Sequence, residues 1–224
     1  HTCALTTGYE AYCWGLNDVG QSTPPEGDFQ AISAGAQHSC GVLTSGEIEC
    51  WGDDSYGRAS PPSGLFTDVS AASRHACGLA VDGTVVCWGS DSGSDPSTDL
   101  TFERISAGAG GHSCGITSES RLECWGDDGD GRASPPDGLY TSVDAGGTHG
   151  CAVTSAGQIE CWGANDTQQC DAPDGDYVEV SSGNYHSCAL TLERSAVCWG
   201  SGALVEHLWA YDLTGPFASI SSCL

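Results

Sequence analysis

The chain has 224 residues, and its 30 acidic residues face only six arginines and no lysine, a formal charge of −24. One domain of this size has room for a good core. The charge repels nucleic-acid phosphate and anionic lipid surfaces, and no apolar run approaches the length of a membrane-spanning helix.

From the first residue a 37-residue period runs along the chain. His1, His38, His75, His112, His149 and His186 fall on it, as do Cys3, Cys40, Cys77, Cys114, Cys151 and Cys188. A second series, Cys13, Cys50, Cys87, Cys124, Cys161 and Cys198, is followed each time by Trp-Gly. Six copies of one supersecondary unit make an array.

Each copy predicts a β-hairpin. If Cys40 faces Cys50, then Val42 opposes Ile48 and Thr44-Ser45-Gly46 forms the turn. The same register sets Leu79 opposite Val85, Ile116 opposite Leu122, Val153 opposite Ile159 and Leu190 opposite Ala196. A one-residue slip would turn every one of these side chains to the other face. Gly46, Gly83 and Gly157 stand last in their turns, where a left-handed conformation suits glycine. Facing cysteines on neighbouring strands reach disulfide distance, so the hairpins predict Cys3–Cys13, Cys40–Cys50, Cys77–Cys87, Cys114–Cys124, Cys151–Cys161 and Cys188–Cys198. Zinc is disfavoured because the Cys-x2-Cys spacing is absent.

A further strand precedes each hairpin, beginning at Phe29, Phe66, Phe102, Tyr140 and Tyr177. A polar loop rich in Asp, Ser, Gly and Pro leads into it. Short strands without helical periodicity indicate an all-β fold, and repeats too small to bury their own faces close radially into a propeller. Phe217–Ser222 copies the strand that the first hairpin lacks. The expectation is a single-domain six-bladed β-propeller over 1–224. Its complete blades run at about 29–65, 66–101, 102–139, 140–176 and 177–216. The remaining blade is split between 1–28 and 217–224, closing the ring from both ends.

The Ile32–Gly35 strand, His38-Ser39-Cys40 and Cys50-Trp51-Gly52 together resemble the regulator-of-chromosome-condensation repeat family in its short cysteine-bearing bacterial form. The resemblance covers essentially the whole chain and implies a β-propeller. Relatives commonly have seven blades, including a secreted propeller that inhibits β-lactamases, so six repeats depart from the pattern. The acidic charge argues against carrying over the namesake's chromatin role.

Cysteine pairing at this density indicates an oxidising compartment, hence a secreted or surface-displayed protein. The acidity reads first as a solvated surface. Its sharper reading is a calcium site at Asp127, Asp128 and Asp130, although no distal bidentate glutamate follows and no cofactor is required. Repeated histidines read as structural hydrogen-bonding devices, and repeated tryptophans as blade packing. No nucleophile elbow or phosphate loop is present, so the chain reads as non-enzymatic.

Departures from the repeat carry the functional expectations. Cys170 and Cys223 stand outside the hairpin pattern and invite pairing between molecules. Leu208, Trp209 and Tyr211 put an apolar patch in an otherwise acidic loop series, a contact site or a packed lid. Asn165 heads a glycosylation sequon. The leading expectation is a propeller acting through protein contacts with a partner or itself, extending to an extracellular filament subunit. The alternative is a carbohydrate-binding or inhibitor-type module, calcium-dependent in one form.

Overall fold

The computed structural model describes residues 1–90, 96 and 99–201. Its strands form six sheets in chain order. β1 (Thr2–Leu5) and β2 (Ala11–Trp14) make a two-stranded sheet. Five three-stranded sheets follow: β3 (Phe29–Ala34), β4 (His38–Leu43), β5 (Ile48–Gly52); then β6 (Phe66–Ala71), β7 (His75–Ala80), β8 (Val85–Gly89). The third is β9 (Phe102–Ala107), β10 (His112–Thr117), β11 (Leu122–Gly126), and the fourth β12 (Tyr140–Ala145), β13 (His149–Thr154), β14 (Ile159–Gly163). The last is β15 (Tyr177–Ser182), β16 (His186–Thr191), β17 (Ala196–Gly200). The segment 217–222, on which ring closure was expected, lies outside the described residues, as do Leu208, Trp209, Tyr211 and Cys223.

The hairpins carry the register that the cysteines dictate. Cys40 faces Cys50 and Val42 faces Ile48, and the other hairpins repeat the pattern. Six disulfides join the facing pairs, at Cα–Cα distances of 4.0–4.1 Å. On a chain-entropy account each loop closure contributes roughly 2.5–3 kcal/mol. The turn demands a left-handed residue in every hairpin. Gly46, Gly83 and Gly157 supply it without cost, whereas Tyr9, Ser120 and Arg194 adopt the same conformation with a β-carbon.

Each first strand carries one extra residue against its neighbour, a bulge after Phe29, Phe66, Phe102, Tyr140 or Tyr177. That aromatic ring is buried in every case and anchors the strand to its own hairpin. Residues from β3, β6, β9, β12 and β15 line one cavity of about 250 Å³, so these strands share a common axis.

Stacking between blades rests on shared apolar clusters. Cys40, Val42 and Ile48 of one blade pack with Phe66, Val69 and Trp88 of the next. Cys77, Leu79 and Val85 do the same with Phe102, Ile105 and Trp125. Buried polar groups then fix the junction. The indole N–H of Trp51 donates to Gln21 O at 2.9 Å, Trp88 to Arg58 O at 2.9 Å, Trp162 to Arg132 O at 2.8 Å and Trp199 to Gln169 O at 2.8 Å. Glycine is required where adjacent backbones meet: a β-carbon on Gly108 would lie 2.6 Å from Gly146 O.

The histidines form a second junction series, and it alternates. His1 Nε2 lies 2.7 Å from Ser39 Oγ, His75 Nε2 2.9 Å from Ser113 Oγ, and His149 Nε2 2.7 Å from Ser187 Oγ. At the two intervening junctions the matching positions are Ala76 and Gly150, and both ring nitrogens of His38 and His112 are buried without a partner among the described residues. Ser39 and Ser187 also donate to Gln21 O and Gln169 O, both at 3.1 Å. Ala76 occupies the same buried place, with Arg58 O at the equivalent loop position.

Ala76→Ser is therefore expected to give His38 a partner and to stabilise the fold by about 1 kcal/mol, read as a higher urea midpoint. Gly150→Ser should bring no such gain, because a β-carbon there would lie 2.6 Å from the Trp162 ring. A midpoint for Ala76→Ser at or below that of the parent would refute the assignment.

Candidate interaction surface

Among the described residues three places depart from the repeat: the axial cavity, the face of the first sheet, and the loop after Trp162. At the axis, each inner serine accepts an amide from the next blade. Ser33 Oγ takes Ala71 N–H, Ser70 Oγ takes Ala107 N–H and Ser106 Oγ takes Ala145 N–H, all at 2.9 Å. The next member of this belt is Asp144, whose Oδ2 takes Ser182 N–H at 2.6 Å. Its Oδ1 accepts from Ser106 Oγ at 2.6 Å, and Oδ2 also accepts from Ser181 Oγ at 3.3 Å. One side chain thus ties β9, β12 and β15 together. Burial pushes the Asp144 carboxyl up to about 6, against the pull of these donors.

The first sheet presents a different surface. Trp51, Trp88, Trp125, Trp162 and Trp199 are 7–9% exposed, whereas Trp14 is 48% exposed. Tyr12, two residues earlier on the same face, is 67% exposed, and its ring centre lies 6.0 Å from that of Trp14. Ala4, paired with Tyr12, is exposed, while Gly41, Gly78 and Gly115 at its equivalent positions are buried. In the later sheets the corresponding face packs on the preceding blade.

The loop after Trp162 is shaped by a staple that recurs on the repeat. Asn17, Asp54, Asp128 and Asn165 each accept, at 2.9 Å, the backbone N–H five residues on. Asn165 is exposed, but its Nδ2 already donates to Asp171 Oδ1 at 2.8 Å, so a glycan there would displace this bond. Cys170 is half-buried, and its thiol donates to Ala164 O at 3.2 Å. Burial and the neighbouring Asp171 push that thiol up to about 11, which leaves it a poor nucleophile at neutral pH.

The acidic loop does not gather its carboxylates at one point. Asp127 accepts from Gly129 N–H at 2.7 Å, Asp128 from Ala133 N–H and Ser134 Oγ, and Asp130 pairs with Arg132 at 3.4 Å. Among the described residues no three His, Cys, Asp or Glu side chains form a metal-binding group. The sister loop is closed by Arg58, 5% exposed, which pairs with Asp53 and donates to Ser73 O at 2.7 Å across the junction. Sequence reading passed over Asp144, although it stands where the inner strands otherwise carry serine, and over the loop staple, although it too follows the period.

The regulator of chromosome condensation (RCC1) repeat matches residues 29–58, 66–93 and 177–203. The chain carries RCC1 repeats. No curated protein sequence matches it. Among solved structures, the CRINKLY WD40 ectodomain of the Arabidopsis thaliana receptor kinase ACR4 is 29% identical, with a TM-score of 0.74 over 89% of this chain and 76% of that one. The ectodomain of the Physcomitrella patens receptor kinase CR4 is 30% identical at the same TM-score, covering 89% and 59%. Prp20p of Saccharomyces cerevisiae shares the fold at 15% identity and TM-score 0.65, covering 75% and 56%. The chain thus spans about three-quarters of the first relative and less than two thirds of the others. The RCC1 repeats here are β-propeller blades, each with a hairpin disulfide. Among the described residues no helix is long and apolar enough to cross a membrane.

Burial holds His38, His112 and His149 down at about 4, below the ordinary 6.5. An unfolded chain takes up these protons first, so stability present above pH 6.5 is lost as pH falls towards 4, on the order of 3 kcal/mol per histidine. Asp144 acts in the opposite sense: its contribution is full below the ordinary 3.8 and is lost as pH rises through about 6. Three groups outweigh one. The melting temperature is expected to fall between pH 6.5 and pH 4, and His149→Gln to flatten that fall. A melting temperature that rises over this interval would contradict the buried neutral histidines.

Proposed function

We propose that the chain is an extracellular, non-enzymatic propeller that works by protein contact, including contact with further copies of itself through the β1–β2 face. The observation that carries this reading is the exposure of Trp14 beside Tyr12, whereas Trp51, Trp88, Trp125, Trp162 and Trp199 are buried. Aromatic side chains set in a sheet face are strong anchors for a partner. A second copy fits because the face is the repeat's own stacking surface. Contact between unlike surfaces of identical molecules propagates, so the expected product is a filament.

The compartment follows from the chemistry of the hairpins. Six disulfides persist in an oxidising environment, and the similarity to receptor ectodomains is in keeping with an extracellular setting. Cys170 and Cys223 fall outside the hairpin pattern, and a bond between copies through them would lock a contact already made. A second reading is carbohydrate recognition, supported by the exposed Tyr12 and Trp14 rings as a stacking platform. Calcium dependence, if part of it, would show as loss of glycan binding with chelator.

Negative-stain electron microscopy of the native protein without reductant tests the leading reading. Regular chains or fibres are expected, with Trp14→Ser shortening or abolishing them and Cys170→Ser making them easier to dissociate. Isolated compact particles at every concentration would overturn self-assembly. Glycan binding lost in Trp14→Ser would then favour the carbohydrate reading.

A further inference from the structure

Among the described strands the inner belt of serines is broken once, by Asp144, and among the described residues that carboxylate meets only neutral donors. Ser106 Oγ, Ser181 Oγ and Ser182 N–H reach its two oxygens. Among the described residues it forms no ion pair. Charge removed from water in this way calls for a counter-ion. Arg104 lines the same cavity from β9, but its guanidinium acts on Asp68 of β6, and Glu179 of β15 adds repulsion rather than relief.

A second observation points into the same space. Ser182, only 2% exposed, lines the cavity, and its Oγ has no hydrogen-bond partner among the described residues. The cavity, about 250 Å³, is lined further by Ser33, Ser70, Ser106 and Ser181. A water occupies about 30 Å³ of liquid, so a small polar head group has room here. One carboxylate ringed by hydroxyls is a poor divalent-metal set. It suits a compact ammonium, with three rotatable donors, better than a planar guanidinium that wants both carboxylate oxygens free. The chain contains no lysine, so no lysine of this molecule or of another copy can supply the group.

We infer that the axial cavity binds a primary ammonium group, held by the Asp144 carboxylate and the serine oxygens around it, and carried by a small free amine or by a lysine of a different protein. The site is independent of the β1–β2 face and stands or falls apart from self-assembly. In its lysine form it gives the protein-contact reading a second, heterologous partner surface.

The test titrates the purified protein at pH 7.5 and constant ionic strength with ethylammonium, N-acetyl-lysine methylamide and, as a cation without N–H donors, tetramethylammonium. The readouts are the carboxyl carbon resonance of Asp144 and the melting temperature. Ethylammonium is expected to saturate the response and to move the Asp144 titration midpoint downward, while tetramethylammonium does neither. Asp144→Ser, which restores the serine of the belt, and Asp144→Asn, which keeps the shape, should each weaken binding about tenfold or more. Saturation by the lysine derivative as well would assign a partner's lysine as the source; saturation by ethylammonium alone would assign a free amine. No saturable response to either ammonium probe, or an undiminished response in both variants, would overturn the site.

Discussion

Buried polar side chains that reach from one blade to the next are what the rest of this fold depends on. A small sheet with a single disulfide has two faces to cover, and apolar stacking alone does not fix the angle between neighbours. At four of the described junctions the indole N–H, set on a loop carbonyl of the preceding blade, fixes it, while the Trp125 indole is buried without a partner among the described residues. The inner serines do the same at the axis, each holding the amide of the following strand. Because these groups are out of water, a missing partner costs more than a formed bond contributes. That asymmetry makes blade order a matter of hydrogen-bond chemistry as much as of hydrophobic area.

The hairpins were fully legible in the sequence, because two cysteines ten residues apart leave one register in which Val42 meets Ile48 and Leu190 meets Ala196. The first strands were legible from their aromatic starts. The turns were legible only in part: glycine announces the left-handed residue at Gly46, but Ser120 and Arg194 take the same conformation without a signal of their own. There the disulfide and the flanking ladder impose a geometry that the residue itself does not prefer.

The site was less legible, for two physical reasons. Short acidic side chains satisfy their own loop backbone as readily as they bind a cation, and composition cannot tell the two apart; Asp128, spanning Ala133 and Ser134, is the example. Asp144 was overlooked because a carboxylate in an acidic protein draws no notice until its neighbours are known. Its place in a belt of hydroxyls, rather than its identity, gives it chemical weight. The aromatic face of the first sheet was hidden for the opposite reason: Trp14 belongs to the repeat, and only its exposure separates it from the other tryptophans.

The alternation of histidine junctions gives the array a grammar of two. Serine stands opposite the histidine at the first, third and fifth junctions, and alanine or glycine at the second and fourth. In the two latter cases the preceding loop carries Arg58 or Arg132, whose positive charge helps keep the facing histidine neutral. The structural unit at these junctions is thus a pair of repeats rather than one. Removing a single repeat sets two like junctions side by side, whereas removing an adjacent pair leaves the order intact.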